Sequence, residues 1–232
     1  MKVLGIDTST SCGSVGLIDE DSVISEYLLT IPVTHSERIL GSIGMVLKES
    51  RCTIADLDGW AISLGPGSFT GLRIGVSTIK GLAFATRKPV AGVSTLDVLA
   101  SQVSPTPYQI CPILDARKGE VYTAFYRYEH GKLPKRQSAY HAITPEELVK
   151  KIRKRTIFLG DGMKTYGNFI RKALPSLATF PAFPLSAPHG SVVALLGLKL
   201  LREGRPLDLS AFTPTYVRAS EAEIKWQERH SD

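Results

Sequence analysis

Cysteine is scarce in this 232-residue chain, with three in all. Cys12, Cys52 and Cys111 lie 40 and 59 positions apart, a spacing that fits neither a disulfide framework nor a Cys-x-x-Cys zinc site. It predicts buried thiols in a reducing cytoplasm. Long apolar runs are missing as well. No window reaches the roughly 18 residues of a membrane helix, and the strongest candidate, residues 192–201, is broken by Lys199. The N-terminus meets Asp7 and a Thr/Ser cluster too early for the core of a secretory leader. Several catalytic signatures are also lacking. There is no His-Glu-x-x-His, no Gly-x-Ser-x-Gly elbow, no Walker A loop and no Gly-x-Gly-x-x-Gly followed by a ribose-binding acid. Triad hydrolysis therefore has no support, and the scattered histidines read as structural. What remains, 43% hydrophobic and 22% charged residues with 20 Gly and 14 Pro, is an ordinary globular composition.

Charge is unevenly spread. Residues 1–103 carry 8 Lys/Arg and 10 Asp/Glu, a net of −2, and residues 104–232 carry 20 and 12, a net of +8, which together make the +6 of the chain. A basic half points to an anionic partner such as RNA or to a solvated basic surface. Lys150-Lys151-Ile152-Arg153-Lys154-Arg155 places five cations in six residues at a predicted helix end. There they complement the helix dipole and leave a contact to RNA phosphates open.

The two halves read alike. Strands are predicted at 3–6, 13–18 and 23–29, then a helix opened by the Thr34/Glu37 capping box. A strand at 57–64 runs into the turn Gly65–Gly71, followed by a helix to about Thr86, a strand at 90–93 and a helix from Ser94. After the proline-rich link 103–107 the order repeats: strands at 110–114, 121–128 and 133–141, a capping box at Thr144/Glu147, a strand at 156–159, and helices at 163–173 and 188–203. The implied order β-β-β-α-β-α-β-α, read twice, predicts a duplicated α/β chain. Its lobes are 1–103 and 104–232, each with the ribonuclease-H-like order of the actin, Hsp70 and sugar-kinase superfamily, in which ligands sit between the lobes.

Aspartates end the first strand of each half. Asp7-Thr8-Ser9 and Asp115 stand where that superfamily places phosphate loops, and a carboxylate at a strand end suits a magnesium ion that keeps most of its waters. Such Asp/Ser/Thr clusters are also ordinary turns. In GPGSFTGLRIG (65–75), Gly65 and Gly67 permit positive φ around Pro66, and Ser68 can cap the next helix. That helix bears Gly71, Gly75 and Thr78 at helical spacing, a small-residue ridge suited either to a partner helix or to close packing on its own sheet.

The blocks VLGIDTST (3–10), HSERIL (35–40), GPGSFTGLRIG (65–75), DARKGEVY (115–122) and TPTYVRASEAE (213–223) together resemble the TsaB family, also called YeaZ. The match is collinear over the whole chain, and the glycine-rich block is the most specific. The resemblance implies a two-lobed actin-like fold. It also implies a role in making N6-threonylcarbamoyladenosine beside the anticodon of tRNAs that read codons beginning with A. In that family the protein is a non-catalytic relative of the transferase TsaD, which holds the metal and nucleotide; a TsaE-like ATPase joins the larger assembly. No cofactor is expected in this chain. TsaD-like proteins carry His-x-x-x-His on the helix matching 34–49, whereas here His35 is followed by Ile39, so the metal pair is absent.

The resemblance further implies that the helices matching 34–49 and 70–86 pack on the same pair in TsaD, or on themselves in a homodimer. The expected interface is His35, Ser36, Ile39, Leu40, Ile43 and Leu47 on the first helix. On the second it is Gly71, Leu72, Ile74, Gly75 and Thr78. A small ATPase or kinase working through Asp7 and Asp115 is the alternative from the enzyme class. A metal-dependent protease is less favoured, for want of the second histidine.

Overall fold

Lys2–Asp7 (β1) is apolar and buried almost throughout, as the central strand of a sheet covered on both faces must be. The computed structural model describes residues 1–20, 22–30, 35–129, 131–181 and 185–217, with the side chains of 35–37 excepted. Thr34 and the side chains of His35, Ser36 and Glu37 thus lie outside the described residues, as do 218–232.

β1 pairs antiparallel with Gly13–Asp19 (β2), which pairs antiparallel with Ser22–Leu29 (β3). On its other side β1 runs parallel to Gly59–Ser63 (β4), itself parallel to Val90–Val93 (β5). The first sheet therefore has the order β3-β2-β1-β4-β5. The second half repeats it. Gln109–Arg117 (β6) is the centre, flanked by Glu120–Thr123 (β7) and His141–Ile143 (β10) on one side and by Thr156–Leu159 (β11) and Ala178–Thr179 (β12) on the other, in the order β10-β7-β6-β11-β12. Tyr126–Arg127 (β8) and Lys135–Arg136 (β9) form a side hairpin against β6. The strand expected at 121–128 is thus split into β7 and β8, and the one expected at 133–141 into β9 and β10, because β6 is met by two different partners. β12 fills the place that the second half of the sequence left blank.

Helices form five layers with these sheets. His35–Glu49 (α1) and Phe69–Thr86 (α2) cover one face of the first sheet, where Ile39, Ile43, Val46, Trp60, Val76 and Ile79 share a core. Pro145–Lys151 (α4) and Met163–Ala173 (α5) cover the far face of the second, through Leu148, Ile152, Ile170 and Leu174. Between the sheets lie Thr95–Ser101 (α3) and Gly190–Arg202 (α6). The repeat boundary at 103/104 is not a boundary in space. α3, from the first half, puts Leu96 and Leu99 into the second lobe's core, and α6, from the second half, lies across β1, β2, β4 and β5.

Helix α6 approaches so closely that a side chain would not fit. A Cβ on Gly190 would overlap the backbone N of Gly16, and one on Gly197 would overlap Ala61 Cβ. Its first turn is held from the first lobe: Ser14 Oγ accepts from Gly190 N at 2.6 Å, and Glu26 accepts from Ser191 N at 2.9 Å and contacts His189 Nδ1 at 2.8 Å. Of the three thiols, Cys12 and Cys111 are buried as expected, and Cys52 is half-buried.

Candidate functional site

Because β1 and β4 are parallel, the loops at their C-terminal ends meet at one edge, and they lock together. Ser68 N donates to Ser9 O at 2.7 Å, and Thr8 Oγ1 donates to Gly71 O at 2.8 Å. Gly67 permits this approach, since a Cβ there would overlap Ser9 O; Gly65, at φ +117°, turns the chain. Ser68 caps α2 as the sequence predicts, accepting from Gly71 N at 3.2 Å. The corresponding edge of the second sheet brings up Asp115 at the end of β6 and Asp161 after β11, with Asp115 N donating to Asp161 Oδ1 at 3.1 Å. The two edges face each other across a cleft of about 610 Å³, lined by Ser9, Thr10, Ser68, Asp115, Asp161 and Lys164 among others.

Of the residues expected at a phosphate site, Ser9, Gly67, Ser68 and Asp115 line this cleft. Asp7 and Thr8 lie beneath it, both fully buried, and Gly65 opens instead onto a second cavity of about 470 Å³ beside Asp97 and Tyr126. Burial pushes the Asp7 carboxyl up to about 6, with a further push from the charge of Asp161, against the nearby Ser63 hydroxyl and the hydrogen bonds from Ser9. Burial likewise raises Asp161, and the adjacent Asp115 charge adds to it. Asp161 is not among the residues expected at the site; it lies in Gly160-Asp161-Gly162, the turn that follows β11. The signal that could have found it is the likeness of that turn to Gly65-Pro66-Gly67, which follows β4 at the equivalent place in the first half.

The donors and carboxylate that a magnesium–nucleotide complex would need are already engaged. Ser9 N and Oγ bond Asp7, Ser68 N bonds Ser9 O, and Arg117 N bonds Asp115 Oδ1 at 2.8 Å. Asp7 does not reach the cleft. This arrangement does not fit a metal–nucleotide complex held through Asp7.

The helix pair α1/α2 differs from the expected interface in which side it turns outward. Ile39, Ile43 and Leu47 are core residues, because their i, i+4, i+8 row is the one facing the sheet. Gly71, Leu72 and Gly75 are buried too, and a Cβ on Gly75 would overlap Thr8 Oγ1. Gly71 and Gly75 of the small-residue ridge thus pack on their own sheet. Outward stand Leu40, 58% exposed, Met45, 47%, and Phe84, 81%, with Ile74 and Thr78 half-buried beside them. Three glycines the sequence reading missed, Gly41, Gly44 and Gly81, are exposed here with open space where a Cβ would be. The backbones of His35 and Ser36 begin α1.

Two copies of one sheet order, with an interlobe cleft at the strand ends, define the duplicated, two-lobed ribonuclease-H-like architecture of the actin, Hsp70 and sugar-kinase superfamily. The activator of 2-hydroxyisocaproyl-CoA dehydratase from Clostridium difficile, solved with bound ADPNP, shares this fold at a TM-score of 0.54 and 9% identity, covering 93% of this chain and all of that one. The family described as "TsaD: tRNA N6-adenosine threonylcarbamoyltransferase" matches residues 31–226. The tRNA threonylcarbamoyladenosine biosynthesis protein TsaB of Bacillus subtilis is 33% identical over 98% of this chain and 99% of its own length. YeaZ from Pseudomonas aeruginosa superposes with a TM-score of 0.78 at 25% identity, covering 93% of this chain and 99% of that one. The chain belongs to this TsaD family and, within it, to the TsaB (YeaZ) group.

Proposed function

We propose that this chain takes part in threonylcarbamoylation of tRNA as a non-catalytic subunit, docking a TsaD-like paralogue through the outer face of α1 and α2. The observation that carries this is the face itself. Leu40, Met45 and Phe84 stand exposed around Gly41, Gly44 and Gly81, on a helix pair whose inner side is already packed. Exposed apolar side chains beside bare glycines suit the close approach of another helix pair. The same face serves a homodimer when the paralogue is absent, and a TsaE-like ATPase completes the larger assembly.

The non-catalytic part of the reading is supported by the cleft, where the buried Asp7 and the engaged loop amides leave little for a nucleotide to use. Among the described residues no group of three or more His, Cys, Asp or Glu is placed to hold a metal ion, and position 39, where the relatives' second histidine would fall, is a core isoleucine. No described helix is long and apolar enough to cross a membrane.

The test is a reconstitution of the reaction from purified components, with the modified nucleoside quantified in digested tRNA by mass spectrometry. Omitting the chain should abolish modification, and the variants Asp7→Asn and Asp115→Asn should restore it as the wild type does. Full modification without the chain would overturn the role. Loss of modification in an Asp115→Asn variant that still assembles would overturn its non-catalytic character.

A further inference from the structure

The end of the second lobe farthest from the cleft gathers three segments that are distant in sequence. The parallel strands β6 and β11 carry Asp115 and Asp161 at their C-terminal ends, so their N-terminal ends, Gln109 and Thr156, form the opposite edge, about 20 Å away for six residues of strand. Helices α4 and α5 run back against these strands, so both end at that edge. Backbone bonds tie the pieces together: Gln109 N donates to Arg155 O at 3.1 Å, and Thr156 N donates to Leu177 O at 2.8 Å.

This edge is rich in cations. Lys150, Lys151, Arg153, Lys154 and Arg155 are exposed on it, and Arg171 and Lys172, at the end of α5, join them from the neighbouring helix. The sequence has no Asp or Glu over 98–114, 148–160 or 162–202; the acids of α4, Glu146 and Glu147, stand in its first turn, where Glu147 is engaged in the cap with Thr144. None of the seven cations forms an ion pair with a described residue. Arg155 is held in place by Tyr108, donating to its hydroxyl at 3.1 Å. A helix dipole calls for one or two cations at each end. Seven, none of them ion-paired with a described residue, exceed that need.

We propose that this edge docks the phosphate backbone of RNA, namely the tRNA on which the assembly acts; the inference rests on the preceding functional reading for the identity of that RNA. A lipid surface fits less well. An interfacial helix needs a free apolar face, and here Leu148, Ile152, Ile170 and Leu174 are all committed to the core. Phosphates on a folded RNA need only cations at several heights, which two separate segments, 150–155 and 171–172, supply.

The experiment is a titration of unmodified tRNA transcript onto the assembly of this chain with its cognate TsaD, followed by fluorescence anisotropy across a salt series. The chain carries either the wild-type edge or Lys150→Glu, Lys151→Glu and Lys154→Glu together. The charge-reversed edge should weaken binding about tenfold or more near physiological salt and lower the slope of log K against log salt by about 2, while a Lys→Arg triple stays within about twofold of wild type. Assembly with TsaD, read by sedimentation, should be unchanged in both variants. Equal tRNA affinity for wild type and reversed edge overturns the proposal while leaving the partnership intact. So does an effect confined to phosphatidylglycerol vesicles. If the wild-type chain fails to assemble with TsaD, the partnership falls, and the same titration on the chain alone decides the edge by the same criterion.

Discussion

Glu26 on β3 and His189 at the head of α6 are 163 residues apart in sequence and 2.8 Å apart in space. The contact ties the last helix of the second half to the edge of the first sheet. Glu26 also accepts from Ser191 N, so one carboxylate both pairs the imidazole and caps the helix. The hydrogen bond to Glu26 raises His189 above its ordinary 6.5, against the effect of burial. Burial pushes Glu26 up, but the bonds from His189 and Ser191 outweigh it and leave its pKa below 4.5.

A raised histidine contributes its full stability below 6.5 and loses it as pH rises through the folded pKa; a lowered glutamate contributes fully above 4.5 and loses it as pH falls. The pair is therefore most stabilising between those values. Glu26→Gln should cost about 1–2 kcal/mol near pH 5.5, a half-exposed pair being discounted for solvent. The deficit should narrow above pH 7, and His189 should titrate at lower pH in the variant. Urea denaturation at several pH values and the imidazole NMR signals check both. A deficit independent of pH would leave Glu26 with a capping role alone.

The glycines of α2 divide into two kinds. Gly75→Ala sets a methyl against Thr8 Oγ1, whose hydroxyl is held by Gly71 O, and should destabilise by about 1–3 kcal/mol. Gly81→Ala meets nothing within 4 Å. In dilute solution it should stabilise the chain by about 0.5–1 kcal/mol through the smaller entropy loss of alanine in a helix. Chemical denaturation of the two variants separates the packed ridge from the open one. A similar change in both would remove the distinction.

Asp7 supplies a pH dependence of its own. Its folded pKa is pushed from 3.8 to about 6 by burial, so its contribution is complete below 3.8 and is lost as pH rises through 6. That difference corresponds to about 3 kcal/mol between pH 3.5 and pH 7.5. Asp7→Asn keeps the shape, can still accept from Ser9 N, and does not ionise. It should flatten the stability profile over that range, measured by urea midpoints. A profile as steep as that of the wild type would place the titration elsewhere.

Much of this architecture was legible in the sequence, because the signals were local. Thr144 and Glu147 cap each other as their spacing demands, and Ser68 caps α2. The apolar strand β1 and its counterpart β6 gave away the duplication. The exchange of α3 and α6 was not legible, since a helix with apolar residues all round, such as 190–202, does not say which sheet it will cover. The outer face was legible only in part, for a related reason: Leu40, expected on it, is exposed, whereas other expected members are buried. Ile39, Ile43 and Leu47 form the strongest stripe on α1, and the strongest stripe belongs to the protein's own core. Beside Leu40, what faces outward is a weaker pattern of glycines and Met45, which periodicity alone ranks as solvent-exposed.

The proposed contact of Leu40 and Phe84 with TsaD has a direct test. Sedimentation velocity of the chain mixed with its cognate TsaD should show a heterodimer. The double variant Leu40→Glu plus Phe84→Glu, whose side chains are too exposed to disturb the fold, should leave two separate boundaries. A heterodimer that forms equally well with the double variant would contradict the docking face proposed for α1 and α2.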